Sequence, residues 1–222
     1  MQRSSGGLAL LLGSALFSAL YAARVLYTGR PTYGFLVWNL ALAWAPWALA
    51  TLASFSASRG RVAVAWALLP VWLAFLPNAP YVVTDFVHLR PRPGAPLWYD
   101  VALLGTAAIT GLIAGGLSLR AMHAWIAERY GVGAGLALLA ASVPAAGFGI
   151  YLGRFERHNS WDLVLRPAEV LADVAHLVAE PRAIVVTAVF AALLAVSYVA
   201  VGGRVIAAAT RRTTRSMPPP TR

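Results

Sequence analysis

Two side chains that could do chemistry, Asp85 and His88, lie three residues apart in an otherwise apolar run. On a helix this spacing places a carboxylate and an imidazole on one face. Such a pair could act as a catalytic base or as ligands of a divalent metal ion. Ionisable groups are costly to keep among apolar residues in a membrane, which favours a functional role. The alternative is that Asp85 only orients His88 or caps a turn.

The same run is broken by Pro77 and Pro80. Proline removes a backbone donor and disfavours helix in the residue before it. Broken backbone at membrane depth survives only where protein or a water-filled cavity surrounds it. Asn78 and Tyr81 lie in this break and are candidates for substrate binding. An equally good interpretation is that the prolines only turn the chain at a membrane interface.

A second polar segment, residues 153–162, follows a later apolar run. Arg154 could bind an anionic group, with Asn159 as a further substrate-binding candidate and Asp162 completing the arrangement of charges. The competing interpretation is local, because Asn159 or Ser160 could cap a helix that begins after them. Asp162 would then be favourable in the first turn of that helix.

Asp100 opens the next apolar run after the proline-broken one. A carboxylate there could do no more than stabilise a helix N-terminus. If it belongs to a site, its carboxylate and those of Asp85 and Asp162 should converge with His88 and Arg154 within about a helix diameter, roughly 10 Å. The catalytic candidates are therefore Asp85, His88, Asp100 and Asp162, and a divalent metal is a candidate cofactor.

The elements that must position these residues are membrane-spanning helices. The chain of 222 residues is 59% hydrophobic and only 12% charged, and its apolar runs are spread along nearly all of its length. A bilayer core requires about 20 apolar residues per helix. We predict an all-α polytopic membrane bundle of about six helices, with a proline-broken third span and one interfacial amphipathic helix at residues 168–179. The predicted spans are residues 8–26, 33–55, 62–76, 99–119, 133–152 and 183–201.

Residues 1–205 are predicted to form a single transmembrane domain, and residues 206–222 a basic, disordered cytoplasmic tail. All 18 basic residues are Arg and none is Lys, which is typical of a genome-wide bias and weakens arguments from a single Arg. The net charge of +10 does not indicate nucleic-acid binding, because these residues lie between apolar runs and in the tail. The absence of Cys excludes disulfides, thiolate metal sites, iron–sulfur clusters and cysteine nucleophiles.

Orientation follows from the distribution of Arg. Six spans place both termini on one side, and ten Arg fall on that side against eight on the other. The positive-inside rule then predicts an inner-membrane protein with both termini in the cytoplasm. Seven of the eight acidic residues and three of the four His fall on the opposite side. The candidate site is therefore extracytoplasmic, unless the outer loops are simply longer and more polar.

Four short sequence features carry a resemblance to a known family: the pair Trp38 and Asn39, the block 75–89, the pair Tyr99 and Asp100, and the block 149–162. In these features the chain resembles the bacterial domain of unknown function 1361 family of multi-pass membrane proteins. The resemblance covers most of the chain from the second helix onward. It implies a fold and a membrane location, but no activity that can be transferred. The family usually has apolar residues where this sequence has Glu156 and His158, so it implies no site role for those two.

Three functions remain open. The first is a membrane-embedded enzyme or lipid-handling protein that uses the polar cluster on a lipid or anionic small molecule. The second is a small transporter or channel subunit, with Asn39, Thr106, Thr110 and Ser118 lining a path. The third is a noncatalytic protein that assembles with a membrane partner. Familiar motifs of lipid phosphatases, intramembrane serine proteases and zinc proteases are incomplete or missing, which removes the simplest enzyme assignments.

Overall fold

The chain is an all-α membrane protein whose long helices form one bundle. The computed structural model describes the backbone of residues 2–215 and the side chains of residues 6–163 and 165–202. Six segments are long and apolar enough to cross a bilayer, as predicted. The helices are α1 (Gln2–Thr28), α2 (Phe35–Ser58), α3 (Val62–Phe75), α4 (Asn78–Tyr81), a 3₁₀ helix (Val82–His88), α5 (Leu97–Tyr130), α6 (Val132–Arg154), α7 (Asp162–Leu165), α8 (Pro167–Leu177) and α9 (Pro181–Arg215).

Helix α5 is the centre of the bundle and packs against α1, α2, α6 and α9. Its small residues allow this close approach, because Gly, Ala and Ser let neighbouring backbones come near. Ser118 is fully buried on α5; its hydroxyl donates to the Pro46 carbonyl oxygen and accepts from Trp72 Nε1 at 2.7 Å. This hydrogen-bonded contact joins α2, α3 and α5 inside the apolar core.

The third span is broken where the prolines predict a break. Helix α3 ends at Phe75, and the four-residue helix α4 leads into the 3₁₀ helix that ends at His88. The whole segment Val62–His88 still counts as one span by length and composition. Broken backbone is acceptable here because α2 and α5 cover α4 and the 3₁₀ helix.

Because consecutive spans alternate in direction, one end of the bundle carries the break, the start of α5 and the end of α6. We call this the site end. Helix α5 extends from there to Tyr130, well past residue 119, where its apolar run was predicted to end. The extension contains Arg120, whose Nη1 donates to the Val201 carbonyl oxygen at 3.0 Å. The helix therefore continues beyond its apolar part by packing on α9.

Helices α7 and α8 lie between the fifth and sixth spans. Helix α8 is the predicted amphipathic segment: Val170 is 3% exposed, whereas its neighbour Leu171 is 64% exposed. An exposed leucine beside a buried valine is typical of a helix lying in the interface, with apolar side chains available to lipid. Of the predicted basic tail, residues 206–215 continue α9, and residues 216–222 lie outside the described residues.

Candidate functional site

The centre of the candidate site is formed by Asp85, His88 and Arg154. A 3₁₀ helix has three residues per turn, so Asp85 and His88 eclipse each other on it. Arg154, in the last turn of α6, reaches both of them: Nη1 lies 3.7 Å from Asp85 Oδ1, and Nη2 lies 3.2 Å from His88 Nε2. The two polar segments predicted from the sequence therefore meet through this guanidinium.

Three further contacts fix the Arg154 side chain. It donates to the Thr84 carbonyl oxygen at 3.1 Å and to the Tyr81 hydroxyl at 3.4 Å, and its Cζ lies 5.7 Å from the centre of the Tyr81 ring. An arginine is always a donor, so His88 Nε2 must accept in their contact.

Asp85 is 1% exposed and only partly satisfied. Asn39 Nδ2 donates to its Oδ2 at 2.8 Å. Its Oδ1 is buried and accepts no hydrogen bond from the part of the chain that the structure describes. At 3.7 Å, Arg154 supplies opposite charge but no hydrogen bond to this oxygen. Asp85 thus keeps one acceptor atom unused beside a fixed cation.

A cavity of about 390 Å³ lies next to this centre. Its deeper wall is apolar and its rim at the site end is polar, with Asn39 and Tyr81 shared between the cavity and the Asp85 centre. The apolar wall comprises Leu42, Pro70, Leu73, Ala74, Ala145, Phe148 and Leu152. The polar rim comprises Asn39, Asn78, Tyr81, His158, Asn159 and Ser160.

The rim is held together by contacts between the break and the 153–162 segment. Asn78 Nδ2 donates to Ser160 Oγ at 2.8 Å and to the Phe75 carbonyl oxygen at 3.0 Å. Gly149 on α6 lies against Pro77, and a Cβ added there would come within 2.5 Å of Pro77 Cγ. The absence of a side chain at Gly149 thus lets α6 pack closely against the break.

Comparison with known proteins shows which family the chain belongs to. A family model described as "Protein of unknown function (DUF1361)" matches residues 38–196. The chain belongs to the DUF1361 family. The matched region includes the Asp85 centre and every residue that lines the cavity. No curated protein and no solved structure matches the chain.

Asp162 holds a loop in this DUF1361 chain. Its Oδ2 accepts the Asn159 backbone N–H at 2.6 Å, and its Oδ1 accepts Arg166 Nη2 at 3.1 Å. The hydrogen bond from the Asn159 backbone, followed by those from Arg166, holds the pKa of Asp162 below its ordinary value. Instead of Asn159 or Ser160 capping α7, the Asp162 carboxylate bonds back to the residue three earlier.

Asp100 forms an ion pair with a partner that the sequence did not indicate. Arg24, on α1, binds it in a bidentate manner, with Nε to Oδ1 at 2.6 Å and Nη2 to Oδ2 at 3.1 Å. The two side chains are 2% and 0% exposed.

The five residues expected to converge are therefore divided: Asp85, His88 and Arg154 meet, whereas Asp100 and Asp162 have other partners. A catalytic role for those two carboxylates stays a prediction that no contact supports.

His158 belongs to the cavity although sequence arguments gave it no role. It lines the rim, and its Nε2 lies 2.6 Å from Asp173 Oδ2 on α8. Asp173 lies three residues after Val170 and so shares a face of α8 with it, but the amphipathic pattern of the sequence does not show what either side chain contacts. Glu156 is exposed.

A divalent metal has little support in the DUF1361 site. Within residues 2–215, no group of three or more His, Asp or Glu side chains is close enough to hold an ion. Arg154 contacts both Asp85 and His88, the two residues predicted as ligands. A fixed guanidinium between two ligands opposes a second cation by charge repulsion.

Proposed function

We propose that this protein is a lipid-handling membrane protein that binds an amphiphile in the cavity between α2, α3 and α6. The observation that supports the proposal is the division of the cavity lining into an apolar wall and a polar rim. Ligand pockets of several hundred cubic ångströms are usually mostly apolar, with a few polar groups that fix orientation. An acyl or prenyl chain would lie against the wall, and its head group would lie at the rim.

The rim favours a head group that bears hydroxyl or amide groups. Its members Asn39, Asn78, Tyr81 and Ser160 are uncharged donors and acceptors. Each acidic side chain near the rim has a basic partner: Asp85 has Arg154, and Asp173 has His158. A strongly anionic head group would meet no unpaired cation there, whereas hydroxyl or amide groups could pair with the Asn39, Asn78 and Tyr81 side chains. In this proposal Asp85 orients Asn39 and Arg154 orients Tyr81, two rim side chains next to the head group.

The α7–α8 segment would cover the bound molecule from the site end. Trp161 and Leu163 contribute to the cavity lining, as does the buried Val170 of α8. His158 and Asp173 connect this cover to the rim. Side chains of α8 that remain exposed, such as Leu171, would hold the cover in the lipid interface.

The proposal is tested by filling the cavity. Ala74 lines the wall of the cavity, so Ala74→Phe is expected to remove most of its depth and to displace the bound chain. Ala67 is an exposed alanine on the same helix and does not line the cavity. Lipid that copurifies with the full-length protein would be measured by mass spectrometry of the intact complex for both variants.

We expect Ala74→Phe to lower the amount of bound amphiphile at least about tenfold, which corresponds to roughly 1.4 kcal/mol of binding. Ala67→Phe should retain it. Equal retention by both variants, or no specific amphiphile on the unaltered protein, would contradict the proposal. The identity of the retained molecule would give the head group directly.

We further propose that the membrane is the bacterial cytoplasmic membrane, with both termini inside and the site end outside. The excess of Arg on the side of the termini and the basic stretch after residue 205 support this orientation. A green fluorescent protein fused to the C-terminus should fluoresce in cells, and alkaline phosphatase fused there should be inactive. The reverse pair of results would place the cavity on the cytoplasmic side.

A further inference from the structure

A second polar cluster lies at the site end, outside the cavity, around Tyr33. The Cζ atoms of Arg24 and Arg92 lie 5.0 and 5.2 Å from the centre of the Tyr33 ring. Those two guanidinium groups are therefore no more than about 10 Å apart. Tyr33 is 3% exposed. Two cations thus share one buried aromatic ring, which attracts them through its electron-rich face.

The backbone around this cluster has an uncommon conformation. Tyr33 has a φ of 66°, in the left-handed region that a bulky residue rarely adopts. The loop that carries Arg92 contains Gly94, whose φ is 93° and which packs against Thr28. The loops 29–34 and 89–96 are therefore folded against each other. Backbone strain of this kind persists where the surroundings fix it, and it is concentrated at functional sites.

The charges of the cluster do not balance. Both oxygens of Asp100 are used by Arg24, which leaves Arg92 without a carboxylate. Arg92 Nε and the Tyr33 hydroxyl are buried, and neither has a hydrogen-bond partner among the described residues. The two loops contain no acidic residue and add two exposed cations, Arg30 and Arg90. One guanidinium and one hydroxyl therefore remain without an acceptor.

We propose that this cluster is a binding site for a phosphate group. The Arg92 guanidinium presents a planar set of donors that matches a phosphate, and the Tyr33 hydroxyl supplies a further donor. Arg24, whose charge is paired with Asp100, contacts the same Tyr33 ring and helps to hold it in position. Phosphate groups of lipids lie at this depth of a bilayer, so the phosphate can belong to a lipid head group or be free in solution.

This site is distinct from the cavity. None of Arg24, Tyr33 and Arg92 lines the cavity. The Phe35 ring lies 6.2 Å from the Tyr33 ring and 4.9 Å from the His88 ring. The acidic side chains near the cavity rim have basic partners, whereas the Tyr33 cluster has an excess of positive charge. Phosphate binding here can therefore succeed or fail independently of the amphiphile in the cavity.

The experiment uses the full-length protein purified in an uncharged maltoside detergent. Binding would be followed by the rise in unfolding temperature on adding inorganic phosphate in one arm and dioctanoyl phosphatidylglycerol in the other. Dioctanoylglycerol, which lacks the phosphate, is the control ligand, and both lipids are tested on Ala74→Phe protein, in which the filled cavity no longer takes up an amphiphile. A saturable rise with inorganic phosphate identifies a site for free anion, and a rise only with the phospholipid identifies a head-group site. Either result supports the proposal.

The variants assign the binding to the cluster. Arg92→Gln is expected to weaken it about tenfold or more, because a charge-assisted bidentate contact is lost. Tyr33→Phe keeps the ring and its contacts with both cations, and is expected to weaken binding a few-fold. This second variant tests the proposal if Arg92→Gln fails to fold. Arg90→Gln removes an exposed cation of the same loop and should change binding less than twofold. Absence of saturable binding in both arms, an equal response to dioctanoylglycerol, or an equal loss in Arg90→Gln would overturn the proposal.

Discussion

Replacing Asp100 by asparagine is expected to lower the free energy of unfolding by about 3–5 kcal/mol, the usual result of removing one partner from a buried ion pair. Arg24 and Asp100 are almost completely buried and are joined by two hydrogen bonds, so the change leaves a guanidinium in an apolar environment without its counter-charge. The contact also joins α1 to α5. Its loss should therefore separate the first helix from the bundle before the rest unfolds.

Two controls make this result specific. The double variant Arg24→Met with Asp100→Leu should recover most of the loss, because replacing a whole buried pair by apolar side chains is often neutral. Glu169→Gln removes an ion pair with Arg166 in which both side chains are more than half exposed, and it should change stability by less than about 1 kcal/mol. Equilibrium unfolding in mixed micelles, followed by circular dichroism, gives all three values. A loss in Asp100→Asn no larger than that in Glu169→Gln would show that the buried pair does not stabilise the bundle.

The membrane spans could be predicted from the sequence because a bilayer imposes a local requirement on composition. Each span must supply about 20 apolar residues, whatever its neighbours are. The same requirement explains the error at the end of α5. The prediction ended α5 after about 20 residues, but the helix continues to Tyr130 because Met122, Trp125 and Ile126 pack in the core and Arg120 bonds to α9. Nothing local in the sequence marks that contact.

In the candidate site, too, contacts between residues close in the sequence could be predicted, whereas contacts between distant residues could not. Asp85 and His88 could be paired because they are three residues apart, and the bonds of Asp162 to Asn159 and Arg166 are equally local. Arg24 and Asp100 are 76 residues apart. A single sequence does not say which helices are neighbours, so the sequence could indicate a helix N-terminus for Asp100 but not its partner.

The polar residues within the spans now argue against a transport path. Thr106 and Thr110 donate to carbonyl oxygens of the preceding turn of their own helix. Ser118 is bonded to Trp72 and Pro46 within the packed core. Asn39 is the exception, because it lies on the cavity rim and donates to Asp85. Of the four residues considered for a path, Asn39 lines the cavity of the proposed amphiphile site, and the other three are hydrogen-bonded within or between helices.

A methyl group added at Gly111 is expected to disturb both stability and binding. Gly111 lies on α5 where α4 crosses it, and an added Cβ would overlap the Ala79 carbonyl oxygen. The contact is with backbone, so α4 as a whole must move away from α5. Overpacking of this kind costs about 1–3 kcal/mol. Since α4 carries Asn78 and Tyr81, the cavity rim should move with it, and copurified amphiphile should decrease.

Gly105→Ala is the matched control for this change. It is on the same helix, and the nearest atom to its added Cβ, Phe86 Cζ, is 4.0 Å away, which is ordinary contact. Alanine is favoured over glycine within a helix by about 0.5–1 kcal/mol, so this variant should be unchanged or slightly more stable. Unfolding curves and lipid retention would be measured on both proteins. If Gly111→Ala kept full stability and lost only the amphiphile, α4 would be a movable part of the binding site; if it lost neither, the close contact of α4 with α5 would not be what positions the rim.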